Sequence, residues 1–401
     1  MFTKSLKKGT PFMKTTRQHS AFLIIGIFLL GASMRTPFTS IPSVINEIAA
    51  SFHTPATSLG ILTTIPLICF GLCSTLVPGI ARRLGNELAL FIALLLLAAG
   101  SYLRIFGFSA LLTGTLIIGV ATTFINVLIP AVITENLPTK IGPVTGTYNV
   151  AITLFSAVGA YAIAPISAAS SWQFAIVLLS GLVLFTALVW LPNLRFNYRT
   201  SGTDTKETGA NMWKNPRAWF LLFYFAGSSF VFYTIVAWLP SIAMANGMTT
   251  NTASLIAGIF QLFSIPTAFA TPVLATRMSN RIPLVLAAGI STALGFLAML
   301  LPIHQFWYYV LIALLLGLGT AATFSLIMTL LGLKTRTAGD TRNLSGMVQS
   351  LGYLLAAFGP TVTGNLKAAS GSWHGPIIVT LIVICLFTLF GTLSERNQYV
   401  N

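Results

Sequence analysis

One arginine stands deep inside a long apolar segment near the start of the sequence. The segment begins at about position 20, so a helical rise of 1.5 Å per residue carries Arg35 roughly 22 Å inward, past the middle of a hydrocarbon layer about 30 Å thick. A guanidinium keeps its charge there, and its planar fork can hold a small planar anion by two hydrogen bonds. The pattern favours an anion-binding group. The structural alternative is a buried arginine paired with carbonyls or a carboxylate, or one that snorkels outward.

Other polar and aromatic residues in apolar segments are expected at a similar depth. With Arg35, the candidate substrate-binding residues are Thr39, Asn126, Tyr148, Asn149, Tyr233, Trp238, Gln261, Ser325 and Gln349. Each one singly has a structural alternative, because amides and hydroxyls often hydrogen-bond neighbouring helices in membranes. Their convergence at one depth favours a binding site.

The acidic residues bear on energy coupling. The chain has seven Asp and Glu, and five of them fall in predicted loops or helix ends. Glu135 and Glu47 remain as possible coupling residues, although neither is predicted at mid-membrane depth, where a proton-carrying carboxylate would be expected. A monovalent anion entering alone would also move against the membrane potential. We therefore expect an exporter or an exchanger without a dedicated proton-binding carboxylate in its cavity.

The sequence predicts no metal site, cofactor or enzymatic centre. Cys69 and Cys73 share a helical face, but no His, Asp or further Cys accompanies them, so they are expected to pack as small apolar residues. No Walker motif, catalytic triad or acidic cluster at membrane depth is present. A membrane enzyme and an ATP-driven pump are therefore disfavoured, and so is a receptor, since the largest loop is too short for a signalling domain.

Composition identifies an integral membrane protein. Of 401 residues, 55% are hydrophobic and only 7% are charged, with a mean hydropathy of +0.85. That is too little charge to solvate a globular surface. The net charge of +15 raises the question of nucleic acid, but the basic residues form short clusters between apolar runs, as the positive-inside rule produces. Nucleic-acid binding is therefore not expected.

Twelve apolar runs are long enough to cross a membrane as helices, which need about 20 residues each. They cover about 20–50, 56–80, 87–106, 109–134, 143–168, 172–192, 217–245, 252–275, 282–302, 305–332, 343–368 and 374–393. The first exceeds a simple crossing, so its outer third is predicted to bend. Continuous apolar runs exclude a β-barrel, whose strands alternate.

The basic residues predict the orientation of these helices. Nineteen of the 22 Lys and Arg fall before the first span or after an even-numbered one, and Arg35, Arg104 and Lys367 are the exceptions. The positive-inside rule makes that side cytoplasmic. We therefore predict a multi-pass protein of the cell inner membrane with both termini in the cytoplasm.

Residues recur after about 200 positions, which indicates two related halves. Ile65-Pro66 corresponds to Ile265-Pro266, and Gly146, Asn149 and Gly159 correspond to Gly346, Gln349 and Gly359. The offset of the first span, 198, places Tyr233 opposite Arg35. The predicted organisation is a cytoplasmic segment 1–19, a six-helix bundle 20–192, a cytoplasmic linker 193–216, a second six-helix bundle 217–393 and a tail 394–401. Parallel six-helix repeats are the architecture of major facilitator transporters, an all-α membrane fold.

Particular residues add a resemblance at family level. Met34-Arg35 followed by Thr39-Ser40 and Pro42, Asn215-Pro216-Arg217-Ala218-Trp219, and Ala237-Trp238-Leu239-Pro240 resemble the cyanate permease and 2-nitroimidazole transporter family of the major facilitator superfamily. The resemblance implies that Arg35 and Trp238 are the family's first-helix arginine and seventh-helix tryptophan. One departure is that Pro78 and Arg82 stand where the superfamily's loop between spans two and three usually has Gly and Asp.

Two transport functions follow from these residues. The first is a secondary transporter that moves a small anionic or polar solute by alternating access, with Arg35 in its cavity. The second is a multidrug or nitroimidazole-type exporter with an aromatic cavity, and the deep positive charge disfavours it for lipophilic cations. The partners expected are a small-molecule solute and the lipid bilayer, and the protein is expected to act as a monomer.

Overall fold

A computed structural model describes residues 21–54, 59, 61–197 and 212–395. The predicted N-terminal segment, most of the predicted linker and the end of the tail lie outside these residues. Within them the secondary structure is helical, with no strand.

Fifteen α-helices make up this part of the chain. They are α1 Ala21–Thr39, α2 Ile45–Ser51, α3 Ile61–Cys73, α4 Val77–Leu84, α5 Asn86–Leu103, α6 Phe108–Asn136, α7 Ile141–Ala169, α8 Trp172–Trp190, α9 Pro216–Ala245, α10 Thr250–Arg277, α11 Ile282–Ala298, α12 Phe306–Leu333, α13 Ala338–Ala356, α14 Phe358–Ser370 and α15 His374–Glu395. They correspond to the twelve predicted spans, because three spans are each divided between two helices.

The division of the first span follows from its sequence. Helix α1 contains Pro37 and ends at Thr39, and a 3₁₀ turn at Ile41–Val44 leads into α2. The first span is therefore divided within the outer third that the sequence predicts to bend. Helices α3 and α4 form a span bent by 68°, and α13 and α14 meet at Ala357. By length and apolar composition alone, nine of the described helices can each cross a membrane, and the bent pair makes a tenth.

The two six-helix halves meet along two seams. Helix α7 packs against α10, and α13 packs against α3 and α6. The repeated glycines lie in these seams: a Cβ atom on Gly146 would lie 2.9 Å from the carbonyl oxygen of Phe269, and one on Gly346 would lie 2.8 Å from that of Ser74. Both glycines therefore allow one half to approach the backbone of the other.

The helix ends at residues 82–86, 135–141, 277–282 and 333–342 carry the basic clusters, and we call this side the basic end. Lys334, which is 1% exposed, forms an ion pair of 2.9 Å with Glu395, and Arg281 lies 3.5 Å from the same carboxylate. These contacts tie the α10–α11 connection, the end of α12 and α15 together within the C-terminal half.

Candidate functional site

Arg35 lies on α1 facing groups from both halves. Three tyrosines lie near its guanidinium, Tyr148 on α7, Tyr233 on α9 and Tyr353 on α13, and the Tyr353 hydroxyl lies within hydrogen-bonding range. The ring centroid of Phe324, on α12, lies 6.0 Å from the Arg35 Cζ atom, which is a cation–π distance. Helices α1 and α7 of one half and α9, α12 and α13 of the other therefore converge on this arginine.

Aromatic side chains from both halves, most of them from the C-terminal half, lie around this group. Tyr353 stacks on Phe70 with ring centroids 4.7 Å apart and meets Phe225 edge-on at 5.0 Å. Tyr233 lies 6.5 Å from Tyr353, and Phe225 lies 6.3 Å from Phe324. The charge of Arg35 thus faces hydroxyl groups and aromatic rings, which together form a polar site with apolar walls.

Sequence reasoning missed Tyr353 and Phe324. Each adjoins a residue that was singled out, since Tyr353 follows Gln349 by one helical turn and Phe324 directly precedes Ser325. Extending the candidates by one turn along the same helical face would have found Tyr353. Aromatic residues in apolar helices otherwise give no distinguishing signal.

Buried amides lie beside this site at the contact between the halves. The Tyr148 hydroxyl donates to the Asn126 side chain at 3.4 Å, and the Gln349 amide donates to the Asn126 carbonyl oxygen at 3.2 Å and to the Ser345 hydroxyl at 2.8 Å. Within the described part of the chain, neither side-chain polar atom of Asn149 has a hydrogen-bond partner. The repeat-related pair Asn149 and Gln349 therefore differs, because only the second bonds across the halves.

Three other predicted residues belong to the C-terminal half, and the side chain of a fourth lies outside the described residues. The Trp238 indole donates to the Pro360 carbonyl at 3.0 Å, and its ring lies 5.6 Å from that of Trp373, so it packs within the C-terminal half. Ser325 is buried on α12, and Gln261 is half-buried on α10. The Thr39 side chain lies outside the described residues.

Both possible coupling carboxylates lie away from the middle of the membrane. Glu47 is exposed on α2. Glu135 lies at the basic end, where it accepts a hydrogen bond of 2.9 Å from Asn86, and Asn86 in turn accepts one of 2.8 Å from Arg342. This chain of contacts, which we call the Asn86 bridge, joins α5 and α6 to α13. Charged groups therefore link the halves at the basic end even though Arg82 replaces the usual acidic residue.

The described residues contain no group of three or more His, Cys, Asp or Glu side chains arranged to hold a metal ion. The chemistry available near Arg35 is one positive charge, several hydroxyl donors and aromatic faces. Such a set can bind and orient a small solute, particularly an anion.

Comparisons with known proteins agree with this architecture. The sequence model of the Major Facilitator Superfamily matches residues 22–360. The chain is 33% identical to the uncharacterized transporter YycB of Bacillus subtilis over 97% of each chain, and 30% identical to the 2-nitroimidazole transporter of Escherichia coli over 94% of this chain and 96% of that one. It is 24% identical to the cyanate transport protein CynX of Escherichia coli over 91% of this chain and 96% of that one.

Solved structures show the same fold. The proton:xylose symporter XylE superposes with a TM-score of 0.76 at 14% identity, over 92% of this chain and 94% of XylE. The transporter FucP in its outward conformation superposes with a TM-score of 0.73 at 14% identity, over 94% of this chain and 98% of FucP. The predicted fold and family resemblance are confirmed. The chain therefore belongs to the major facilitator superfamily and is a multi-pass membrane transporter rather than an enzyme.

Proposed function

We propose that this secondary transporter carries a small anionic or polar solute, which Arg35 binds in a central cavity during alternating access. The observation that carries the proposal is the convergence of helices from both halves on the Arg35 guanidinium. A solute held there contacts both halves at once, so a change in their relative position changes the site. Binding and reorientation are coupled in this way.

The charge and the hydroxyl groups set the preferred solute. A guanidinium in a weakly polarisable environment attracts an anion more strongly than it does in water. The hydroxyls of Tyr148, Tyr233 and Tyr353 can rotate to donate to a bound acceptor. A small planar anion such as a carboxylate can therefore accept the arginine fork and one or more hydroxyl donors.

The names of the relatives favour the same class of solute without fixing it. One relative is named as a cyanate transport protein, and cyanate is a small anion. Another is named as a 2-nitroimidazole transporter, and a nitro group offers two oxygen acceptors to an arginine. Both are compact solutes of the size that a single arginine with a few aromatic neighbours can bind.

A drug exporter is the second candidate, favoured by the aromatic walls. Phe324 and the stacked pair of Phe70 and Tyr353 offer apolar surface beside the charge. For such an exporter, lipophilic compounds would bind whether or not they are anionic. The two candidates therefore differ in how binding depends on the charge of the solute.

A competition assay on the purified protein separates these candidates. We expect cyanate and benzoate, a planar carboxylate, to raise the thermal unfolding midpoint and to compete with each other for binding. The lipophilic cation tetraphenylphosphonium should leave the midpoint unchanged. Stabilisation by tetraphenylphosphonium without stabilisation by either anion would overturn the proposal and favour the drug exporter.

We further propose that transport proceeds by export or by exchange, without a proton carried by a cavity carboxylate. Glu135 and Glu47 lie away from Arg35, which supports this proposal. In proteoliposomes with the potential clamped, an inward proton gradient should not drive benzoate uptake. Strong gradient-driven uptake that disappears in Glu135→Gln or Glu47→Gln would make that glutamate the coupling site instead.

The cytoplasmic position of both termini in the inner membrane is likewise a proposal, supported by the basic clusters. In intact cells, cysteines introduced as Asp204→Cys and Gln398→Cys should resist a membrane-impermeant thiol reagent, while Gly247→Cys should react. These reactivities would be exchanged in an inverted protein.

A further inference from the structure

A second arginine is buried where the first helix ends. Arg104 follows α5 in the 3₁₀ turn Arg104–Phe106, and its side chain is 0% exposed. Its Nε atom donates to the Thr115 hydroxyl of α6 at 3.1 Å, and its Nη1 atom donates to the carbonyl oxygen of Pro37. Through these two bonds, Arg104 joins the end of α5 to α6 and to the end of α1.

The Pro37 carbonyl needs such a partner because α1 is ending. Helix α1 stops at Thr39, and although the Ser40 N–H still bonds the Thr36 carbonyl oxygen, the Pro37 carbonyl lies in the last turn, where helical N–H partners run out. A cation at a helix C-terminus is favourable because the helix dipole places partial negative charge there. Among the described residues no carboxylate pairs with Arg104, so the helix end itself is its electrostatic partner.

This contact lies two residues from Arg35. On the other side of the same segment, the Thr36 hydroxyl lies 3.4 Å from the Phe155 carbonyl oxygen of α7, and the Thr36 methyl group lies against Gly159. The segment that carries Arg35 is therefore held from α7 by Thr36 and from α5 by Arg104. Together these contacts fix the rotation and height of the helix end.

We infer that Arg104 is a positioning residue for solute binding: by holding the Pro37 carbonyl it sets the direction in which Arg35 meets Tyr148, Tyr233 and Tyr353. The inference rests on the proposed role of Arg35. Arg104 itself does not touch the solute, since its buried guanidinium is already bonded to Thr115 and Pro37. A brace that served only stability would affect folding without acting through Arg35.

A double-mutant cycle separates positioning from bracing. Benzoate affinity is measured for the wild type, Arg104→Gln, Arg35→Gln and the double variant, together with hydrogen–deuterium exchange over residues 36–44. We expect Arg104→Gln to weaken benzoate binding about tenfold and to speed exchange in this segment. In the Arg35→Gln background the same change should have no further effect on affinity, because residues that act through one another are not additive.

A conservative variant and a control complete the test. Arg104→Lys retains one donor for the Pro37 carbonyl, so it should recover part of the lost affinity and part of the exchange protection. Thr113→Val, at an exposed position on the same stretch of α6, should change neither.

The outcomes distinguish the two proposals. Three outcomes would each overturn the role of Arg104 and leave that of Arg35 intact. In the first, Arg104→Gln speeds exchange but leaves benzoate affinity unchanged. In the second, it lowers affinity equally with and without Arg35, and in the third it leaves exchange unchanged. If Arg35→Gln binds benzoate like the wild type, or if the wild type does not bind benzoate, the proposed function fails and the positioning role fails with it.

Discussion

The two halves share a helical plan but place their charges differently at the basic end. Residue 135 lies in the last turn of α6 and residue 334 follows α12, about 200 positions later, yet one is glutamate and the other lysine. Lys334 is neutralised inside its own half by Glu395, whereas Glu135 bonds to Asn86 and, through it, to Arg342 of the other half. The C-terminal half is thus braced internally, while the charges of the N-terminal half act across the seam. The repeat preserves helices and glycines, and the polar chemistry has diverged.

The internal brace gives the largest expected effect. Burial lowers the pKa of the Lys334 ammonium and the nearby Glu395 opposes this, so removing the carboxylate leaves a buried charge without its counterion. Glu395→Gln should lower the free energy of unfolding by about 3–5 kcal/mol. Thermal unfolding of the purified protein in detergent measures this loss.

Glu135→Gln is the matched control, because the Glu135 side chain is exposed. Its effect on unfolding should be below about 1 kcal/mol. Equal destabilisation by Glu135→Gln and Glu395→Gln would contradict the contrast between the halves.

The glycines at the seams give the next effect. A valine in place of Gly346 would collide with Ser74 and Pro78, so Gly346→Val should destabilise the contact between the halves at this seam by about 1–3 kcal/mol. Transport in proteoliposomes should fall accordingly, and a cysteine placed in the seam should become more reactive. Gly181→Val, where nothing lies within 4 Å, should transport normally. Wild-type transport by Gly346→Val would show that close approach at this seam is unnecessary.

The Asn86 bridge gives the smallest effect. Asn86→Ala removes both of its hydrogen bonds, one to Arg342 and one to Glu135, and should weaken the contact between the halves at the basic end by about 1–2 kcal/mol. Faster labelling of a cysteine between α5 and α13 would report this opening. Asn197→Ala also removes an amide hydrogen bond near the basic end, the one to the Leu84 carbonyl oxygen, but this bond lies within one half. It should therefore leave the labelling rate unchanged. Equal labelling rates in the wild type and Asn86→Ala would show that the Asn86 bridge does not hold the halves together.

The sequence predicted the scaffold more completely than the site. Long apolar runs predict the membrane crossings, and clustered Lys and Arg predict their orientation. The offset of the first span, 198, placed Tyr233 opposite Arg35, and Tyr233 lies near Arg35 in the structure. Phe324 could not be distinguished, because an aromatic residue in an apolar helix looks the same whether it faces lipid, core or cavity. The role of Arg104 depends on a carbonyl brought close only by tertiary packing, and no spacing rule predicts that contact.

The most direct test of solute binding by Arg35 is the dependence of anion affinity on its guanidinium fork. Calorimetric titration with benzoate compares the wild type, Arg35→Lys and Arg35→Gln, each checked for monodispersity. We expect Arg35→Gln to lose about 10- to 150-fold in affinity, as for removal of a charged hydrogen-bonding partner. The affinity of Arg35→Lys should lie between those of Arg35→Gln and the wild type, because lysine keeps the charge without the fork. Wild-type affinity in a well-folded Arg35→Gln protein would contradict the claim that this arginine binds the solute.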